Sequence, residues 1–181
     1  VLVAFHPDTN CPQEAGNQVD ELLYAVHCTG LQATILWPNV DAGADSVAKA
    51  IRCFRDERRL AKDWWTYTTN VPPIEYLEKL ANAACCVGNS SSFIRDAGYF
   101  GTPVVLVGNR QEGRECGEHV TFVDCLSKDI LEAINQQLEH GRYTPSNLYG
   151  SPGVSRVIAD KLATLKPRTN KRLDYRLEAV A

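Results

Sequence analysis

Three consecutive serines are the residues in this sequence whose type and spacing best suit phosphate chemistry. They lie in Gly88-Asn89-Ser90-Ser91-Ser92, between a short apolar run and a predicted helix. Small residues let a ligand approach the backbone, and the first turn of a helix offers unpaired N–H groups and a positive dipole end. No lysine follows in the order of a Walker loop. The segment therefore predicts a phosphate or diphosphate site, and the alternative is that a serine only caps the helix.

Further polar candidates follow other apolar runs. His6 comes directly after the first run and could contact a phosphate or act as an acid or base, although a histidine there is often structural. Asn39 follows the second run. Arg110 stands closer than Arg114 to the end of its apolar run and is the better anion-binding candidate, unless salt bridges within the loop hold it. Asp96, within the helix that the serines open, could reach a sugar diol or simply face solvent.

The elements that must position these residues alternate between strand-like and helical patterns. Apolar runs predict strands at Val1–Phe5, Ala33–Trp37, Trp64–Thr68, Ala84–Val87, Val104–Val107 and Thr121–Asp124. Apolar residues at helical spacing predict the helices between and after them, at about 19–26, 45–54, 73–81, 91–99, 128–139 and 155–165. Six strand–helix pairs predict an α/β fold, with a parallel sheet of about six strands and helices on both faces. Ligands bind outside the carboxyl ends of such strands, where the candidate residues lie.

Length and composition exclude several classes of protein. The chain has 181 residues, and 19 Lys and Arg against 22 Asp and Glu give a net charge of −3, which argues against a general nucleic-acid binder. No apolar run approaches the roughly 18 residues of a membrane span. The seven cysteines show no zinc-ligand spacing, so no metal site is predicted, and reduced thiols in a cytoplasmic protein are expected.

The two ends of the chain lead to separate expectations. The sequence opens inside an apolar run, without an initiator Met or the features of a signal peptide. We expect it to be a partial chain that lacks an N-terminal part. Residues 166–181 are rich in charge, and we expect a surface tail there.

Four segments together resemble the C-terminal domain of hydrolysing UDP-N-acetylglucosamine 2-epimerases. They are Phe5-His6-Pro7, the residues 38–43, the residues 87–104 and the residues 108–115, and they occur in the family's order. The resemblance implies that residues 1–165 form a UDP-binding, Rossmann-like domain, the C-terminal half of a two-domain GT-B fold. It also implies that the N-terminal catalytic half is absent from this chain.

The resemblance implies hydrolysis of UDP-N-acetylglucosamine to N-acetylmannosamine and UDP, a step towards sialic or related nonulosonic acids, without a cofactor. Carried over position by position, it implies UDP contacts by His6, Asn39, Val71, Ser90, Ser91, Asp96 and Arg110. Ser90 and Ser91 would hold the diphosphate, Val71 would meet the uracil through its backbone, and His6 is also the catalytic candidate. Asp96 stands where the family usually has a ribose-binding Glu. The groups that handle the C2 proton would belong to the N-terminal half. This chain alone should therefore bind UDP but should not convert the UDP-sugar.

Two alternatives remain open: the UDP-binding half of a GT-B glycosyltransferase, and a stand-alone nucleotide-binding module. The resemblance also implies a homo-oligomer for the full-length protein. Family members fused to a kinase are inhibited by CMP-sialic acid through basic residues, whose positions are Asp45, Thr69 and Asn70 here. Loss of those cations predicts insensitivity to CMP-sialic acid.

Overall fold

The computed structural model describes residues 1–8, 10–57 and 65–166, and its strands form one parallel sheet. The strands are β1 (Leu2–Ala4), β2 (Ala33–Leu36), β3 (Trp65–Thr68), β4 (Cys86–Gly88), β5 (Val104–Val107) and β6 (Val120–Val123). Their order in the sheet is β3-β2-β1-β4-β5-β6, and each neighbouring pair is parallel. The predicted fold is thereby confirmed. The strand order reverses between β1 and β4, and such a switch point is where ligands bind in open α/β sheets.

The described residues form six α-helices, and the first five pack on the sheet. They are α1 (Ala15–Cys28), α2 (Ala44–Glu57), α3 (Pro73–Asn82), α4 (Ser91–Phe100), α5 (Ser127–His140) and α6 (Val154–Thr164), and a short 3-10 turn spans Pro12–Glu14. Proline is the first residue of α3, which confirms the predicted helix start. Proline lacks an N–H, and the first N–H groups of any helix have no partner within it. Within the described residues, no helix is long and apolar enough to cross a membrane.

Two hydrophobic layers lie on opposite faces of the sheet, as predicted. One layer joins α1, α2 and α5 to side chains such as Val3 and Val105, and the other joins α3 and α4 to side chains such as Leu2 and Leu106. Alternate residues of one strand therefore enter different layers, which is the period of two expected of a strand buried on both faces.

Strand β4 begins two residues later and ends one residue later than predicted. The apolar run predicts Ala84–Val87, whereas the strand spans Cys86–Gly88, because its register with β1 pairs Leu2 with Cys86 and Ala4 with Gly88. The strand predicted at Trp64–Thr68 begins at Trp65, and Trp64 lies outside the described residues.

The chain divides into two compact units, Val1–Tyr149 and Gly150–Ala181. The first contains the whole sheet and α1 to α5, and the second contains α6. The charged tail predicted for residues 166–181 lies outside the described residues from 167 onward.

Candidate functional site

A cavity of about 280 Å³ opens at the carboxyl edge of the sheet. Its floor includes Ala4, Leu36 and Thr68, which end β1, β2 and β3. Four of the seven predicted UDP contacts line it, namely His6, Asn39, Val71 and Ser90. Residues that are far apart in the sequence are thus brought together by the parallel sheet, because every strand delivers its following loop to the same edge.

Gly88 allows the serine loop to lie against β1. Its φ is +141°, and a Cβ built on it would lie 2.1 Å from the backbone oxygen of Ala4. Only glycine fits this approach, because that oxygen belongs to the backbone of a paired strand and cannot move aside. The close contact delivers Asn89 and Ser90 to the loop that carries His6.

Asn89 fastens three loops to one another. Its side-chain Oδ1 accepts a hydrogen bond from the His6 N–H, and its Nδ2 donates to the His6 carbonyl, both at 2.7 Å. Its own carbonyl accepts from Arg110 Nη1 at 3.2 Å and from Gln111 Nε2 at 2.9 Å. Asn89 is only 3% exposed. The loops after β1, β4 and β5 are therefore held in a fixed relation to one another at the switch point.

One contact sets the tautomer of the His6 imidazole. The backbone N–H of Asn39 donates to Nδ1 at 3.3 Å, so the proton of the neutral ring is on Nε2. Burial, and next the Arg110 guanidinium, lower the pKa of His6 from its ordinary value, and Asp41 opposes this shift. The free Nε2–H is a hydrogen-bond donor, which suits a phosphate oxygen or a departing anion better than proton abstraction.

The serine loop opens α4 without a side-chain cap. Ser90 is the N-cap residue, yet its hydroxyl makes no capping hydrogen bond and instead lies 3.0 Å from Ser92 Oγ. Ser92 in turn is hydrogen-bonded to the Tyr76 hydroxyl. The capping alternative is therefore wrong for Ser90, whose hydroxyl faces other hydroxyls at the cavity. Ser91 is the first residue of α4 and is not among the residues that line the cavity.

Arg110 and Asp96 lie outside the lining of the cavity. No ion pair joins the charged residues of the Arg110 loop to one another among the described residues, so salt bridges within the loop are not what holds it. The hydrogen bonds to Asn89 hold it instead. Asp96 is half-buried on α4, where burial raises its pKa and Arg95 opposes the shift.

Sequence reasoning missed several residues of the cavity. Trp37, Thr68, Tyr76 and Ser92 line it but were not predicted as contacts, and Thr69 and Asn70 line it although they were singled out only for regulation. Ser92 belonged to the serine segment, so its motif could have identified it. Tyr76 had no such signal, because it lies among apolar residues at helical spacing. In the described chain, no group of three or more His, Cys, Asp or Glu residues could hold a metal ion.

Comparison with known proteins gives concordant matches. A family described as UDP-N-acetylglucosamine 2-epimerase matches residues 1–163. A UDP-N-acetylglucosamine 2-epimerase of Neisseria meningitidis is 26% identical over 88% of this chain and 40% of its own length. A UDP-N,N'-diacetylbacillosamine 2-epimerase (hydrolyzing) of Legionella pneumophila is 30% identical over 91% of this chain and 42% of its own. The predicted resemblance to the UDP-N-acetylglucosamine 2-epimerase family is confirmed.

A solved structure shares the fold. It is the UDP-GlcNAc 2-epimerase of Methanocaldococcus jannaschii in complex with UDP-GlcNAc and UDP, with a TM-score of 0.66 and 12% identity. The match covers 90% of this chain and 44% of that one. The chain thus spans about two fifths of the length of the relatives it matches.

Proposed function

Because this chain belongs to the UDP-N-acetylglucosamine 2-epimerase family, we propose that it is the UDP-binding half of a hydrolysing member. The full enzyme would convert UDP-N-acetylglucosamine and water to N-acetylmannosamine and UDP. The observation that carries this proposal is the cavity at the switch point, where His6, Asn39, Val71 and Ser90 converge from four loops.

The groups around the cavity suit a diphosphate. The Ser90 hydroxyl, the Nε2–H of His6 and the first turn of α4 all present hydrogen-bond donors, and the helix dipole adds positive potential. Arg110, tied to the Asn89 carbonyl, places a permanent cation beside the serine loop. Departure of UDP leaves charge on the diphosphate, and donors fixed in advance stabilise that charge without reorganising. In this proposal His6 donates to the leaving group, and the Ser91 hydroxyl at the start of α4 donates to the diphosphate.

The uracil would occupy the part of the cavity farther from α4. Val71 follows β3 and would meet the uracil through its backbone, while Asn39 lies between it and His6 along the edge of the sheet. Asp96 would bind the ribose hydroxyls from α4. Since Asp is one methylene shorter than the Glu usual in the family, this contact requires a closer approach of the ribose.

The hydrolysing reaction and its place in metabolism also rest on relatives. The Legionella relative carries "hydrolyzing" in its name, and a polysialic acid biosynthesis protein of Escherichia coli is 27% identical over 136 residues. We therefore assign the product to the synthesis of sialic or related nonulosonic acids. Residues 1–165 would be the UDP-binding domain, and a preceding N-terminal domain would supply the groups that act at C2.

Calorimetric titration of the chain with UDP tests the binding part. Arg110→Ala and Ser91→Ala should each weaken UDP binding by about 1–3 kcal/mol, the value of a charge-assisted hydrogen bond. Arg114→Ala is the matched control, because Arg114 is an exposed arginine of the same loop without a bond to Asn89. Unchanged affinity in both test variants would remove these two residues from the site.

Turnover separates the candidate reactions. The 181-residue chain should release no UDP from UDP-N-acetylglucosamine, whereas the full-length protein should release UDP and N-acetylmannosamine, identified by NMR of the sugar. Release of UDP only with a sugar acceptor would instead indicate a glycosyltransferase. UDP binding without any reaction of the full-length protein would indicate a binding module.

A further inference from the structure

Three hydroxyl groups form a continuous chain along one wall of the cavity. The Tyr76 hydroxyl is hydrogen-bonded to Ser92 Oγ, and Ser92 Oγ lies 3.0 Å from Ser90 Oγ. Tyr76 comes from α3, whereas Ser92 and Ser90 are at the start of α4. All three residues line the cavity and are half-buried. We call this chain the hydroxyl relay.

The direction of the relay decides what it offers to a ligand. Each hydroxyl donates one proton and can accept others. If Tyr76 donates to Ser92 and Ser92 donates to Ser90, the proton of Ser90 is free to be donated to a further acceptor. In the opposite direction, Ser90 donates to Ser92 and turns only lone pairs towards the ligand. A diphosphate oxygen accepts hydrogen bonds only, so it selects the first direction.

Tyr76 is able to act as the first donor in that direction. Burial raises the pKa of Tyr76 to about 12, so the hydroxyl keeps its proton at neutral pH. Consecutive hydrogen bonds also polarise one another, so a donor at the far end strengthens the last one. The effect is largest where the last acceptor is charged.

We propose that Tyr76 is a positioning residue for the diphosphate, which orients the Ser92 and Ser90 hydroxyls so that Ser90 donates to the bound anion. This inference rests on the proposed function, since it specifies how that same cavity recognises its ligand. Tyr76 acts through the serines and is not itself assigned a contact with the ligand.

The packing of the Tyr76 ring allows its hydroxyl to be tested separately. Ile74 and Leu77, its neighbours on α3, are 70% and 36% exposed, whereas the Tyr76 ring packs against the apolar layer that α3 and α4 share. A phenylalanine would retain that packing and lose only the hydroxyl. Tyr76→Phe is therefore a clean variant, and Tyr143→Phe is its matched control. Tyr143 donates its hydroxyl to Gln137 Oε1 at 2.9 Å, and neither residue lines the cavity.

The test compares UDP with uridine, which lacks the phosphates. Dissociation constants are measured by calorimetry or ligand-observed NMR on the chain and on Tyr76→Phe, Ser92→Ala, the double variant and Tyr143→Phe. We expect about a three- to tenfold loss of UDP affinity for each single variant, the cost of weakening one hydrogen bond to a charged acceptor. Uridine affinity should not change, and Tyr143→Phe should bind both ligands like the wild type.

Non-additivity is the second readout. Because both residues act through Ser90, the double variant should lose no more UDP affinity than the single variant with the larger loss. If the two residues made independent contacts, the losses of the single variants would add. Thermal unfolding of each variant confirms that the chain is folded before binding is measured.

Each alternative result has a defined meaning. If the wild type and Tyr76→Phe bind UDP equally well, the role of Tyr76 is overturned and the proposed function stays intact. An equal loss for uridine and UDP, or additive losses in the double variant, would also overturn it. A wild-type chain that binds no UDP would overturn the proposed function and, with it, this role.

Discussion

Gly98 of α4 lies directly against the imidazole of His119. A Cβ at Gly98 would be 2.7 Å from His119 Cε1, and one at Gly117 would be 2.9 Å from Nδ1 of the same ring. The ring is buried, and its Nε2 is 3.2 Å from the carbonyl oxygen of Phe93, which precedes Gly98 in α4. Helix α4, whose first turn carries the serines, therefore packs against His119. This close packing requires that residue 98 has no side chain.

Gly98→Ala should destabilise the chain, although alanine is normally the better helix residue. We expect the free energy of unfolding to fall by about 1–3 kcal/mol, because the new methyl group overlaps a buried ring that a hydrogen bond holds. Gly16→Ala in α1 is the matched control. Its Cβ would lie 3.7 Å from Ser46, an ordinary contact, so it should be neutral or stabilising by up to about 1 kcal/mol. Denaturant unfolding measures both, and equal effects would contradict the contact.

Asn89→Ala should lower stability more than the loss of an exposed asparagine. It leaves the N–H and carbonyl of His6 without their partner, which costs about 1–3 kcal/mol for each group that stays buried. Asn82→Ala serves as the control, because the exposed Asn82 donates only to the Glu78 carbonyl. Chemical denaturation should give a small change for Asn82→Ala. A similarly small change for Asn89→Ala would show that the loop of His6 is held by other groups.

The pKa of His6 should respond in opposite directions to two charge removals. NMR titration of the imidazole should give a pKa below the ordinary value, because burial is the largest cause and persists in both variants. Arg110→Ala removes a nearby cation and should raise this pKa, while Asp41→Asn removes an anion and should lower it. Shifts of the same sign in the two variants would show that structural change, and not charge, sets the titration.

Stability should accordingly fall as the solution is acidified. The unfolded chain keeps the higher, ordinary His6 pKa of about 6.5, so it binds more protons than the folded chain between the two values. The contribution of His6 to the free energy of unfolding is fully present above pH 6.5. It is lost as the pH falls through the His6 pKa of the folded chain. His119 adds to the same trend because burial lowers its pKa too. In His6→Gln, unfolding measured from pH 7.5 to 5 should show a shallower slope; an unchanged slope would exclude His6 as a source.

The epimerase activity proposed for the full-length protein should persist in the presence of millimolar CMP-sialic acid. Asp45 is an acidic residue in the first turn of α2, and Thr69 and Asn70 are neutral, so none of the three attracts an anionic inhibitor. An activity assay with UDP-N-acetylglucosamine measures this directly. Strong inhibition would mean that other basic residues, such as Lys49 or Arg52, have rebuilt the regulatory site.

The sequence determines the elements of this protein because their signals are local. The short, continuous apolar run Val104–Val107 is typical of a strand buried on both faces. It forms β5 with those bounds. Pro73 and the serine segment mark the starts of α3 and α4, which follow from backbone chemistry alone. The motifs indicate the family for a related reason, since each consists of residue types at fixed spacings within one segment.

Tertiary structure alone decides which of these segments meet. Asn89 binds the main chain of His6 across 83 residues, because the strand order puts β4 beside β1. Periodicity places Tyr76 on a helix but cannot reveal that its hydroxyl reaches Ser92 on the next one. Periodicity records which face of an element is apolar, whereas a hydrogen bond between two elements depends on their relative position in space. The fold could therefore be predicted from the sequence, and the arrangement of hydroxyl, amide and imidazole groups at the cavity could not.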